Sequence, residues 1–321
     1  MNRAGNSATG PATAEQGGGG TRLFSAGIVT TAPEAEVSEF EAMGFDALWV
    51  GGHIASRNPG GECITQLSRV AALARRARIG TSILLLPLYQ PAIIAKQVAE
   101  LDRATAGRIT LGIGVGGEYA QEFRACGVPL SERGRRTDEA MQLLRRLWSA
   151  QEITHPGPFY PMENVRIHPA PLQGAALPLV VAGRKAPAMR RAARLGNGWM
   201  PYLYSPRQYR ESVDAIVQMA GEGGRDLTGF QWMEFLFTNV QDDAARARAE
   251  AAEFLGGTYR SDFGPLVDRV AAAGDVAGVA ARVGEFIAAG AQHIIFMPAT
   301  KTDRLGMARR IVDEVLPAIG R

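Results

Sequence analysis

The stretch 78–116, RIGTSILLLPLYQPAIIAKQVAELDRATAGRITLGIGVG, constrains this chain more than any other part of it. A run of leucine and β-branched residues, suited to burial on both faces, leads into Pro91. Proline fits the first turn of a helix because its missing N–H would have no partner there. Ile94, Val98 and Leu101 then recur at helical spacing as one apolar stripe, and Gly107 stops the helix. Residues 108–114 read as a second buried strand that ends in glycines. Two buried strands joined by a helix make a parallel strand-helix-strand unit. Its glycine end is the carboxyl end of a strand, where a small molecule would meet bare backbone.

The alternation runs through the chain. Strands are expected at 23–29, 46–50, 78–86, 108–114, 178–182, 198–201, 231–240 and 293–298. Helices are expected at 33–43, 63–77, from 91, at 133–149, 185–195 and 206–220, then through 289 with an interruption at 256–264, and finally at 305–318. The proline-rich segment 150–177 reads as an inserted hairpin or long loop, and loops of that length in a compact domain are usually functional. Eight strands, each followed by a helix, are the count of a closed (β/α)8 TIM barrel. An open doubly wound sheet would place Gly-x-Gly-x-x-Gly behind the first strand, and none is there. The barrel is expected over 21–321. Residues 1–20, dominated by Gly, Ala, Ser and Thr, read as a disordered tail.

Composition excludes several classes. Nothing approaches the roughly 18 apolar residues of a membrane span, and the start of the chain lacks the apolar core of a signal peptide. Cys63 and Cys126 are too few for a disulfide framework and fit no metal spacing, as for thiols in a reducing cytoplasm. The net charge of +3 comes from scattered arginines with no basic-aromatic stripe. That favours a small anionic ligand over nucleic acid.

In such a barrel the strands' carboxyl ends hold the ligand. The second strand ends at Gly51, Gly52 and His53, and the fourth at Gly114, Gly116, Gly117 and Glu118. Those glycines read either as backbone bared to a flat ligand or as a tight turn. Gly183, Arg184 and Lys185 lie between a buried strand and a helix, where free N–H groups and two cations suit a phosphate; a solvated basic turn is the alternative. His53 is placed to handle a proton near neutral pH, or to pack structurally. Glu118 and Glu122 fall one helical turn apart, as a proton-handling pair or a solvated face. Tyr202, Tyr204 and Glu234 sit on or just past later strands and are candidate pocket walls for a small-molecule substrate. No metal site is expected.

Several runs together carry a resemblance: GFDALWVGGH at 44–53, the 79–116 run, Glu122-Phe123, RRTDEAMQLLRRLW at 135–148, PLVVAG at 178–183 and AARLGNGWMP at 192–201. Over about 23–316 the chain resembles the luciferase-like monooxygenase superfamily, the flavin- or deazaflavin-dependent relatives of bacterial luciferase. The resemblance implies a (β/α)8 barrel with an insertion and an oxidoreductase that uses coenzyme F-420, a deazaflavin, or alternatively FMN. The phrasing of 107–117 and 135–148 leans toward F-420, which needs no oxygen. An FMN enzyme would be a monooxygenase supplied by a flavin reductase. A barrel lyase or aldolase and a non-catalytic flavin-binding protein are further alternatives. The resemblance also implies a cis peptide at Ser82-Ile83 or the next bond beneath the ring, a phosphate seat at Gly183, Arg184 and Lys185, and a site role for His53. A homodimer is compatible with it. The chain departs from the family where Gly52 replaces an acidic residue before the histidine, Gly117 an aromatic, and Asn197 an aspartate. Without that acid, His53 either handles a proton or shapes the substrate pocket.

Overall fold

A computed structural model describes residues 24–56 and 60–321, so the tail expected over 1–20 lies outside it. Eight parallel strands close into a barrel: β1 (Ser25–Val29), β2 (Ala47–Val50), β3 (Arg78–Thr81), β4 (Ile109–Gly114), β5 (Leu179–Ala182), β6 (Gly198–Met200), β7 (Gln231–Val240) and β8 (His293–Pro298). Each pairs with its sequence neighbours. β8 returns to β1 with His293 opposite Ser25, and β7 bonds to β6, which completes the ring.

The surrounding helices are α1 (Glu34–Ala42), α2 (Cys63–Leu73), α3 (Pro91–Ala104), α4 (Arg133–Leu147), α5 (Ala186–Leu195), α6 (Pro206–Glu222), α7 (Ala244–Tyr259) and α8 (Val276–Ala288), with further helical turns over 304–318. Strand alternation sorts the side chains. Trp49, Val180, Met200, Met233 and Ile295 pack together along the barrel axis, while Ile28, Leu48, Leu111, Leu236 and Phe296 pack under the helices. Among the described residues no helix is long and apolar enough to cross a membrane.

Three departures from the sequence reading have physical causes. First, α2 stops at Leu73, because Glu41 of α1 accepts hydrogen bonds from the backbone N–H groups of Arg75, Arg76 and Ala77 and turns the chain into β3. Burial acts to raise the Glu41 pKa, but these bonds outweigh it and hold the carboxyl below its usual range.

Second, the strand expected over 78–86 breaks after Thr81. The Ser82-Ile83 peptide is cis, and pairing with β4 resumes only at Leu84–Leu85. The neighbouring glycines make room for the displaced segment. A Cβ on Gly112 would collide with the Thr81 carbonyl, one on Gly114 with the Ile83 side chain, and one on Gly51 would lie 2.9 Å from the Ser82 carbonyl oxygen.

Third, Ala271–Gly274, read from sequence as helix, is a short parallel strand along the end of β7, with Ala271 opposite Phe237. Alanine's helix preference yields to the unpaired backbone groups of that overhanging strand end.

The insertion is a hairpin of Ile153–His155 and Met162–Val165. It is fastened to α4 by Glu139, which accepts hydrogen bonds from the backbone N–H of Tyr160 and lies 2.9 Å from His155 Nε2.

Candidate active site at the carboxyl mouth

The two ends of the barrel differ in how completely their polar groups are matched. At the amino end, a cavity of about 300 Å³ is lined by Ser25, Trp49, Arg78, Thr110, Gln231 and His293, among others. Trp49 Nε1 donates to His293 Nε2 at 3.0 Å. The proton of His293 therefore sits on Nδ1, which donates to Ser25 Oγ at 2.5 Å. Burial, assisted by the Arg321 and Arg78 cations, drives the His293 pKa down to about 3, so the ring is neutral. A Cβ on Gly27 or Gly80 would collide with the Trp49 indole. Both ring nitrogens of His293 are thus engaged. Among the described residues no group of His, Cys, Asp and Glu side chains is placed to hold a metal.

At the carboxyl end, His53 leaves β2 with its side chain 34% exposed. Its Nδ1 lies 3.2 Å from Oε1 of Glu122, which is fully buried in the short helix Ala120–Ala125. Glu122 also accepts hydrogen bonds from the backbone N–H groups of Ile54 and Ala55, fixing the loop that carries the histidine. The Nδ1 proton thus points at a carboxylate, and Nε2 has no partner among the described residues. Tyr119 sets its ring edge-on to the imidazole. The acid missing at Gly52 is supplied from β4's far side. Glu122 is the residue that meets His53; Glu118 is exposed and instead accepts a hydrogen bond from Tyr202 at 3.1 Å. The sequence signal for Glu122 was its place beside the buried Phe123, which argues against a solvated face.

The turn after β5 is held from behind. Trp199 Nε1 donates to the Gly183 carbonyl at 2.8 Å, and the Tyr204 hydroxyl donates to the Arg184 carbonyl at 2.6 Å. In a trans peptide the N–H points opposite to the C=O. The N–H groups of Arg184 and Lys185 therefore face away from the helix layer. Gly183 has φ +132°, a conformation open to glycine, and a Cβ there would press on Ala188 at 2.7 Å. Helix α5, starting at Ala186, has no side-chain cap on its leading N–H groups. By contrast α6, after the adjacent strand, is closed by a capping box in which Ser205 and Gln208 satisfy each other's backbone. Of these two helices, α5 is the one that keeps an open positive end, flanked by exposed Arg184 and Lys185.

Other expected site residues fall differently. Gly114 is not bared to a ligand, since the Ile83 side chain fills the space where its Cβ would be. Gly116, at φ +61°, makes a turn over Leu85 and Phe123. Ser82 Oγ is buried with no hydrogen-bond partner among the described residues. Tyr202 stays at the mouth, with the Arg184 guanidinium 4.7 Å above its ring. Tyr204 does not line a pocket; it is buried, bracing the turn after β5. Glu234 is also withdrawn from the pocket wall. It is fully buried and shares its strand face with Ile294 and the outer core, and neither carboxyl oxygen has a partner among the described residues. Burial holds its pKa well above the carboxylate range, against a weaker pull from Arg184.

A family model described as luciferase-like monooxygenase matches residues 29–319. The chain is 28% identical over 248 residues to 4-hydroxyprotoasukamycin monooxygenase of Streptomyces nodosus subsp. asukaensis, covering 73% of this chain and 65% of that protein, so it spans just under two thirds of that relative. It is 28% identical over 289 residues to the F-420-dependent glucose-6-phosphate dehydrogenase of Kineococcus radiotolerans, covering 80% and 83%. In fold it is similar to an F-420-dependent secondary alcohol dehydrogenase in complex with an F-420–acetone adduct, with a TM-score of 0.82 and 18% identity over 93% of this chain and 99% of that one.

Proposed function

The chain belongs to the luciferase-like monooxygenase family, and from that premise we propose that it is an oxidoreductase that holds coenzyme F-420 in the barrel mouth and acts on a small organic substrate. When bound, the deazaflavin supplies a carbon centre that gives or takes a hydride, and the protein supplies position and electrostatics.

The observation that carries this reading is the uncapped start of α5, with the N–H groups of Arg184 and Lys185 turned outward beside two exposed cations. These are the groups that would hold the cofactor's phosphate. The displaced Ser82-Ile83 segment, with its unpartnered hydroxyl, and Gly114 behind it would support the ring. The donor set fits a phosphorylated, planar, hydrogen-bonding cofactor. His53 would offer Nε2 to a substrate oxygen, and Glu122 orients the imidazole through Nδ1.

A second reading, an FMN monooxygenase served by a flavin reductase, is favoured by the match to 4-hydroxyprotoasukamycin monooxygenase. The F-420 reading is preferred on the match to an F-420-dependent dehydrogenase over 80% of the chain. The experiment is an anaerobic assay of F-420 reduction and reoxidation across a panel of organic substrates, run beside an aerobic assay with FMN and a reductase. Turnover of the deazaflavin without oxygen is the expected result. Oxygen-dependent product with FMN alone would reverse the choice.

A further inference from the structure

The cavity at the amino end lies apart from the mouth and takes no part in the function proposed there. A closed barrel of this kind normally fills its interior with layers of bulky branched side chains. Ile79, Ile109 and Leu111 pack outward under the helices, so alternation turns Arg78 and Thr110 inward. Gln231 shares the inward face of Met233, which lies opposite His293 in register. The lowest layer of the axis is therefore polar, and it leaves a cavity of about 300 Å³ where packed hydrocarbon would otherwise stand. Roughly 150 Å³ is enough for a benzene ring, so this volume holds a ring and one substituent. Ala47, Trp49 and Met233 give it an apolar wall.

The charge of this lining is one-sided. No carboxylate lines the cavity. The Arg78 guanidinium makes one hydrogen bond, to Thr110 Oγ1 at 3.3 Å, and pairs with no acid among the described residues. The other cation at this end, Arg321, is held 2.6 Å from Asp46. Both arginines lie close enough to His293 to lower its pKa, so the histidine is neutral and the positive charge left to the cavity is that of Arg78. A guanidinium presents parallel N–H groups that match the two oxygens of one carboxylate. The second charge of a phosphate would stay unmatched here. We propose that the amino-end cavity is a second ligand site, separate from the cofactor's, which takes a small monocarboxylate with a compact apolar body, the carboxylate on Arg78 and the body against Trp49 and Met233.

The test is calorimetric titration of the full-length protein with benzoate, beside acetate (the charge without the body), benzyl alcohol (the body without the charge) and inorganic phosphate. Each is titrated with and without saturating F-420 or FMN. Saturable binding of benzoate is expected, about tenfold tighter than any of the other three and unchanged by either cofactor. Arg78→Met should weaken benzoate about tenfold, as loss of a charged hydrogen-bonding partner dictates, whereas Arg184→Ala/Lys185→Ala should leave it unchanged. Ala47→Met, which reaches into the cavity and keeps the charge, should also weaken benzoate and serves if Arg78→Met does not fold. Benzoate that does not saturate, or that binds no more tightly than acetate, benzyl alcohol or phosphate, overturns the proposal. Displacement of benzoate by a cofactor, or its loss in the Arg184→Ala/Lys185→Ala variant, would place it at the mouth and overturns the proposal equally. Failure of both cofactors to bind bears on the proposed function alone, and the benzoate series still decides the second site.

Discussion

Two histidines mark the opposite ends of this barrel. His293, at the amino end, is buried and has both ring nitrogens engaged, by Trp49 and Ser25. His53, at the carboxyl end, is engaged at one nitrogen by a buried carboxylate and is a third exposed. The same side chain serves as a seal in one place and is left with chemical capacity in the other. The helix starts repeat the contrast, since α6 closes its own N-terminus and α5 leaves its N-terminus open next to Arg184 and Lys185. Chemistry in this molecule is to be sought where the hydrogen-bonding inventory is incomplete.

The largest effect is expected at the packed end. Gly27→Ala forces a Cβ against the Trp49 indole and His293. It should cost about 3 kcal/mol of stability, read by urea denaturation, with cofactor affinity of the folded protein unchanged. A lost cofactor affinity at full stability would place the cofactor at the amino end. At the other end, Glu122→Gln keeps the shape but removes the charge behind His53. It should lower kcat about 100-fold, the low end of the usual range of proton-transfer contributions, with cofactor Kd within twofold. Unchanged kcat would reduce the pair to loop packing.

The buried histidine at the amino end also gives stability a pH dependence. The His293 pKa in the fold, about 3, lies below its unfolded value. The unfolded chain therefore binds the extra proton between the two values. Stability is fully present above about pH 6.5 and falls as pH drops toward 3, by about 1 kcal/mol per pH unit from this group. His293→Gln should flatten that part of a pH series of denaturation curves. Smallest is the effect at the helix starts. Ser205→Ala should cost about 1 kcal/mol of stability and leave cofactor binding alone, whereas Lys185→Ala should do the reverse in the same pair of assays.

The barrel was legible in the sequence because its eight strands and helices alternate in hydrophobic period, and Pro91 and Gly107 punctuate the central unit where expected. The break in β3 was not legible from residue pattern, since 78–86 reads as one continuous apolar strand; only the family resemblance placed a cis peptide there. The glycines of β4 were recognised as removing side chains, but what they admit is Thr81 and Ile83 of the same protein. His53 and the Gly183–Lys185 turn were visible from their strand ends. Glu122 was not matched to His53, and Trp199 and Tyr204 were not seen behind the turn, because these contacts join segments 16 to 69 residues apart that periodicity does not relate.

The most direct test is a fluorescence-quench titration of F-420, with FMN in parallel, against the wild-type protein and an Arg184→Ala/Lys185→Ala variant. Saturable uptake of F-420 by the wild type is expected, with at least tenfold weaker uptake by the variant and unchanged thermal unfolding. Absence of uptake of either cofactor, or equal affinity in the two proteins, would contradict a phosphate seat at the start of α5.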